Sequence, residues 1–123
     1  MEPGKAPPPR VVILEDDPAV AGLLSEILSS EGFEPLSADQ HTPLDTVARH
    51  HPGLLLLDLL LGNTTGAEVL SALRRAGLAH VPVVLLSGKQ EMEQHMRDLG
   101  AVAFVRKPFD IDELVATCRS AAL

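Results

Sequence analysis

The stretch His51 to Gly66, HPGLLLLDLLLGNTTG, constrains the fold more than any other part of the chain. Four leucines, Leu54 to Leu57, run into Asp58 with no polar residue between them. A short apolar run bounded by Pro-Gly on one side and Gly-Asn-Thr-Thr-Gly on the other reads as a strand buried on both faces. Asp58 then stands where the strand emerges at its carboxyl end, the edge at which open α/β sheets keep their sites. A carboxylate there is costly unless a cation or hydrogen bonds compensate it. Taken alone, a capping or turn aspartate is the commoner reading; the other strand ends change the balance.

At 123 residues the chain has the size of one domain, able to bury roughly two-thirds of the surface its unfolded form exposes. Three Phe, no Tyr and no Trp leave few side chains for base stacking. Together with a net charge of −7, this argues against a nucleic-acid surface. A single cysteine, Cys118, excludes an internal disulfide and a multi-cysteine metal site, and is expected as a buried helix thiol. The polar, Pro-rich start suggests no signal peptide, and the apolar runs are short of a membrane span, so a cytoplasmic protein is expected.

Residues 1–9, MEPGKAPPP, carry four prolines and no apolar period, which predicts a disordered or extended arm. The domain proper is expected over 10–123. Arg10 to Leu14 reads as the first strand, followed by three acids, Glu15, Asp16 and Asp17. Asp17-Pro18 predicts an N-cap with proline at the first helical position. Val20, Leu23, Leu24, Ile27 and Leu28 give the helix an apolar face, and Gly32 ends it. Phe33 to Ser37 is a weaker strand. A short helix within 38–51 should turn Leu44, Val47 and Ala48 inward.

After the Leu54–Asp58 strand, a helix over Ala67–Ala76 buries Val69, Leu70 and Leu73 and stops at Gly77. Val81 to Leu86 is a fourth strand, ending in Ser87-Gly88. A short polar helix spans Glu91 to Leu99, a fifth strand Ala101 to Arg106, and a last helix Asp110 to Ala122 with Ile111, Leu114, Val115 and Cys118 inward. Five strands alternating with helices, joined by right-handed crossovers, make a doubly wound parallel sheet with helices on both faces.

In a parallel sheet all strand C-termini share one edge, which gathers Glu15, Asp16, Asp58, Ser87 and Lys107. Three carboxylates within a few ångströms repel one another strongly and imply a bound cation. All-oxygen ligation is the Mg²⁺ pattern, and with no obvious His or Cys ligand zinc is disfavoured. His41, His50, His51, His80 and His95 show no ligand spacing. Carboxylates, a divalent cation, a lysine and a hydroxyl are the parts of a phosphoryl-transfer site. Each part has a plainer reading: the acids as helix caps, Ser87-Gly88 as a turn, Lys107-Pro108 as a solvated lysine before a helix. Coincidence at every strand end is far less common than any one of these.

VVILEDDP, LLLLDLLLGNTTG, VPVVLLSG and FVRKPF, in this order and spacing, resemble a response-regulator receiver domain of two-component signalling, the CheY-like family, from about Arg10 to Leu123. The resemblance implies a flavodoxin-like (βα)5 fold. It implies that Asp58 accepts a phosphoryl group from a histidine kinase or phosphotransfer protein. Glu15 (through water), Asp16, Asp58 and the backbone carbonyl of Leu60 would hold Mg²⁺, while Ser87 and Lys107 would bind phosphoryl oxygens. Phe104 matches the aromatic switch position, paired with Ser87. The chain departs from the family pattern at three places. Phe104 is often Tyr in the family, Gly62 stands where proline is common, and the Ser87–Gly100 interval is short. Two other functions compete with a phosphorylated switch. A Mg²⁺-dependent phosphohydrolase using an aspartyl-phosphate would usually carry a second aspartate two residues after the nucleophile, where this chain has Leu60. A phosphorylation-independent docking module would not need the intact set of Asp58, Glu15, Asp16, Ser87 and Lys107.

Overall fold

The computed structural model describes residues 8–38, 43–59, 61, 64–87 and 93–122. Five strands alternate with five helices: β1 (Arg10–Leu14), α1 (Pro18–Ser30), β2 (Glu34–Ser37), α2 (Pro43–His50), β3 (Leu54–Asp58), α3 (Gly66–Arg75), β4 (Val83–Ser87), α4 (Glu93–Asp98), β5 (Ala103–Arg106) and α5 (Ile111–Ala121). All strand pairs are parallel, in the order β2-β1-β3-β4-β5. This is the doubly wound sheet the alternation predicted. The order reverses between β1 and β3, and an open sheet forms its crevice at that point.

β3 is central, and every residue from Leu54 to Asp58 is buried. Alternation along the strands divides the core into two layers. Leu55, Leu57 and Leu85 pack under Val47 of α2, Val69, Leu70 and Leu73 of α3, and Met96 of α4. Leu54, Leu56, Val84 and Val105 pack under Leu24, Ile27 and Leu28 of α1 and Leu114, Val115 and Cys118 of α5. Helices on both faces explain why β3 can be apolar throughout.

Asp17 caps α1 as expected: its Oδ1 accepts from the Ala19 N–H at 2.9 Å, and Pro18 follows it. Gly32, Gly77 and Gly100 take positive φ where α1, α3 and α4 end. Three inward assignments are corrected. Leu23 is 48% exposed because the buried stripe of α1 runs through Leu24, Ile27 and Leu28, and Leu23 lies a 100° step off it. Ala48 is exposed for the same reason, one residue past buried Val47. Ile111 is 52% exposed; it is the first helical residue after the Asp110 cap, and the packed stripe begins a turn later at Leu114.

Three strands begin later than their apolar runs. The Phe33 N–H closes α1 by donating to Leu28 O, and that of Ala101 closes α4 on Met96 O. The Val81 N–H is used in a turn to Leu78 O. Hydrogen bonding, not hydrophobicity, sets these boundaries. Residues 1–7 of the expected arm, and 91 and 92 at the expected start of α4, lie outside the described residues.

Candidate functional site

The strand register assembles the site. Leu14 pairs with Leu57, so Glu15 follows β1 level with Asp58 at the end of β3. Asp58 pairs with Leu86, and Ser87 comes next on β4. Ser87 pairs with Arg106, and the Lys107 N–H donates to Ser87 O at 2.9 Å. Four chemically active residues, Glu15, Asp58, Ser87 and Lys107, from four strands are thus carried to one edge by backbone pairing alone.

Asp58 is 6% exposed and Ser87 3% exposed. The Lys107 ammonium donates to Asp58 Oδ2 at 3.0 Å and to Glu15 Oε2 at 3.4 Å. Glu15 Oε1 also accepts from the Asp17 N–H at 3.2 Å, and its side chain is only 2% exposed. Glu15, Asp16 and Asp58 each present a carboxylate oxygen, all within 4.8 Å of one another. Asp16 is exposed and has no hydrogen bond or ion pair among the described residues. The acidic run after β1 therefore divides its work: Asp17 caps a helix, while Glu15 and Asp16 converge on Asp58.

The electrostatics show how far the carboxylates are crowded. Burial pushes the Glu15 carboxyl up to about 7. The Asp17 N–H opposes this, and the hydrogen bond and negative charge of Asp58 add to it. Burial alone would pull the Lys107 ammonium down, but its hydrogen bond to Asp58 and the charges of Asp58 and Glu15 hold it above its ordinary range. One lysine serves two buried carboxylates, and Asp16 adds a third acid with no lysine of its own among the described residues. This all-oxygen donor set fits a hard divalent cation.

Phe104 on β5 is partly buried against the α2–α3–α4 layer, with the Arg97 guanidinium 4.8 Å from its ring centroid. The structure thus brings together Glu15, Asp16, Asp58 and Lys107, sets Ser87 on the adjoining strand end, and places Phe104 three residues before Lys107. Leu60 and Gly62 lie outside the described residues, as do residues 88–92 within the short interval. Sequence reasoning missed two neighbours of the site. Arg97 covers the Phe104 ring, and only a basic residue on an otherwise polar α4 hinted at it. Gly66 closes the loop after Asp58, donating its N–H to Leu59 O at 2.7 Å. The available signal for it was a glycine directly after Thr65, which already caps α3 through the Glu68 N–H.

The chain is 36% identical over 114 residues to the DNA-binding response regulator MtrA of Mycolicibacterium smegmatis, covering 90% of this chain and 49% of that protein. It is 33% identical to the DNA-binding dual master transcriptional regulator RpaA of a Synechocystis species, covering 91% of this chain and 48% of that protein. The chain spans about half the length of these relatives. In fold it is similar to the chemotaxis protein CheY4 of Vibrio cholerae, with a TM-score of 0.85 at 21% identity, covering 93% of this chain and 98% of that one. The family described as response regulator receiver domain matches residues 11–119. With the two-layered five-stranded sheet and the acid–lysine cluster at its edge, this match establishes that the chain belongs to the response-regulator receiver domains of two-component signalling.

Proposed function

We propose that Asp58 is the phosphoacceptor of this receiver domain and takes its phosphoryl group from a phosphohistidine of a histidine kinase or phosphotransfer protein. One observation carries the reading: Asp58 is a buried carboxylate at the end of the central strand, 3.0 Å from the Lys107 ammonium and clustered with Glu15 and Asp16. Asp16 and Asp58 would hold Mg²⁺ directly, Glu15 through water, with the Leu60 carbonyl as a further donor. When bound, the cation would neutralise charge building on the transferring phosphoryl oxygens.

The residues of the chain do the rest. A carboxylate oxygen of Asp58 forms the new bond to phosphorus as the bond from phosphorus to the donor imidazole nitrogen breaks. Lys107 stays paired with Asp58 and meets the added negative charge. The Ser87 hydroxyl donates to a phosphoryl oxygen, and its turn makes room for Phe104 to move inward. The modification adds charge and acceptor oxygens at one buried point, and so biases a two-state surface. The chain assists its own phosphorylation and dephosphorylation; it is a signalling switch, not an enzyme acting on a separate substrate.

We place the receiver at 10–123, after an arm over 1–9, and the site of action in the cytoplasm. No helix among the described residues is long and apolar enough to cross a membrane. The signal passes to a downstream protein or output domain, without direct nucleic-acid binding by this domain. The test is incubation with acetyl phosphate and Mg²⁺, followed by intact mass. The expected result is one acid-stable, base-labile phosphoryl group, absent from Asp58→Asn. Equal labelling of that variant would overturn the assignment.

A further inference from the structure

Gly66 is the first residue of α3, and its backbone has no positive φ that would call for glycine. Alanine is the better helix former, and glycine carries the larger entropy cost on folding. The reason for glycine here is space. A Cβ on residue 66 would lie 3.2 Å from Leu59 Cα, 3.3 Å from Asp58 O and 3.3 Å from Leu85 Cδ2. The two carbon contacts are inside the roughly 3.5–4.0 Å at which carbon atoms rest against one another, and the oxygen contact is also tighter than a Cβ ordinarily keeps. Two of the three are backbone atoms of Asp58 and its neighbour, and backbone cannot swing aside as a side chain can.

The same turn is tied from several sides. The Leu59 N–H donates to Leu86 O at 3.0 Å, the Leu61 N–H to Thr64 O at 3.1 Å, and the Gly66 N–H to Leu59 O at 2.7 Å. The start of α3 is therefore pressed directly onto the backbone that carries the Asp58 carboxylate.

From this contact we infer that Gly66 is a positioning residue for phosphoryl transfer: its missing side chain lets α3 fix the backbone of Asp58 and Leu59 in line with Glu15, Asp16 and Lys107. The inference rests on Asp58 as the phosphoacceptor. A methyl group at 66 must displace Asp58 O and Leu59 by a few tenths of an ångström, and the carboxylate moves with its backbone. Phosphoryl transfer works by positioning, and misplacement by about 1 Å can cost on the order of a hundredfold in rate. A smaller shift should cost about tenfold.

The test separates the backbone contacts from the Leu85 contact. Wild type, Asp58→Asn, Gly66→Ala, Leu85→Val and the double variant Gly66→Ala/Leu85→Val are compared in two measurements. One is melting temperature in EDTA; the other is the initial rate of phosphorylation by acetyl phosphate at several Mg²⁺ concentrations. Trimming Leu85 relieves the side-chain clash and leaves the two backbone clashes in place. The double variant should melt higher than the two single losses summed would give, yet phosphorylate about tenfold more slowly than Leu85→Val. Should Gly66→Ala alone fail to fold, the double variant against Leu85→Val carries the same comparison. A rate that recovers with the melting temperature, or a Gly66→Ala rate equal to wild type, overturns the inference and leaves Gly66 a packing residue. Failure of wild type to label, or equal labelling of Asp58→Asn, instead overturns the Asp58 assignment, and the inference with it.

Discussion

At the scale of single residues, the four-member cluster of Glu15, Asp16, Asp58 and Lys107 is an imbalance held in place by the sheet. Glu15 carries its strain, its carboxyl pushed up to about 7 by burial and by Asp58. An acid held above its unfolded value binds its proton more tightly in the fold. That contribution is complete below the unfolded value of about 4.3 and is lost as pH rises through about 7. Without Mg²⁺, the melting temperature should therefore fall across this window, and Glu15→Gln should fall less; an unchanged slope in that variant would show that other groups set it. Cation binding must displace this proton, so the Mg²⁺-induced rise in melting temperature should be larger at about pH 8 than at about pH 6. Asp16 has no partner among the described residues to give up, whereas Glu15 is held by Lys107 and the Asp17 N–H. Asp16→Asn should accordingly weaken the Mg²⁺ effect more than Glu15→Gln in a calorimetric titration. The reverse order would make Glu15 the direct ligand.

At the scale of elements, the proposed switch couples Ser87 at the end of β4 to Phe104 of β5. Phe104 has no hydroxyl, so its inward position buries no polar group. The Phe104 ring is partly buried against the core, and exposed Arg97 over it is worth about 0.5–1 kcal/mol as a cation–π contact at a solvent-exposed site. Arg97→Ala should raise the inward population of the ring about two- to fivefold before any phosphorylation, read from its NMR shifts. Ser87→Ala should leave the fold and Mg²⁺ binding intact but abolish the ring's response to beryllofluoride. An identical response in that variant would route the output through another element. Element order, strand C-termini and caps were legible because apolar runs and capping residues are local signals. The starts of β2, β4 and β5 were not, because the N–H groups of Phe33, Val81 and Ala101 are claimed by preceding carbonyls. The exposure of Leu23 and Ile111 depends on where each helix meets the sheet, which periodicity alone cannot locate.

For the whole molecule, the site is a product of topology. Strand alternation and right-handed crossovers were enough to predict that Glu15, Asp58, Ser87 and Lys107 meet, because parallel strands deliver their ends to one edge. The closeness of that meeting was not legible. It depends on the register of β1 with β3 and on Lys107 bridging two carboxylates. On the proposed assignment, this edge delivers a phosphoryl group to Asp58 and to no other carboxylate. Trypsin cutting after Arg49 and Arg74 releases residues 50–74, in which Asp58 is the only aspartate, while Glu15, Asp16 and Asp17 fall in 11–49. The direct measurement is to phosphorylate the protein with acetyl phosphate and Mg²⁺, reduce the acyl phosphate to an alcohol with borodeuteride, and map the deuterium by peptide mass spectrometry. Deuterium should appear at Asp58 in peptide 50–74 alone; deuterium in peptide 11–49, or at Glu68, would contradict the account.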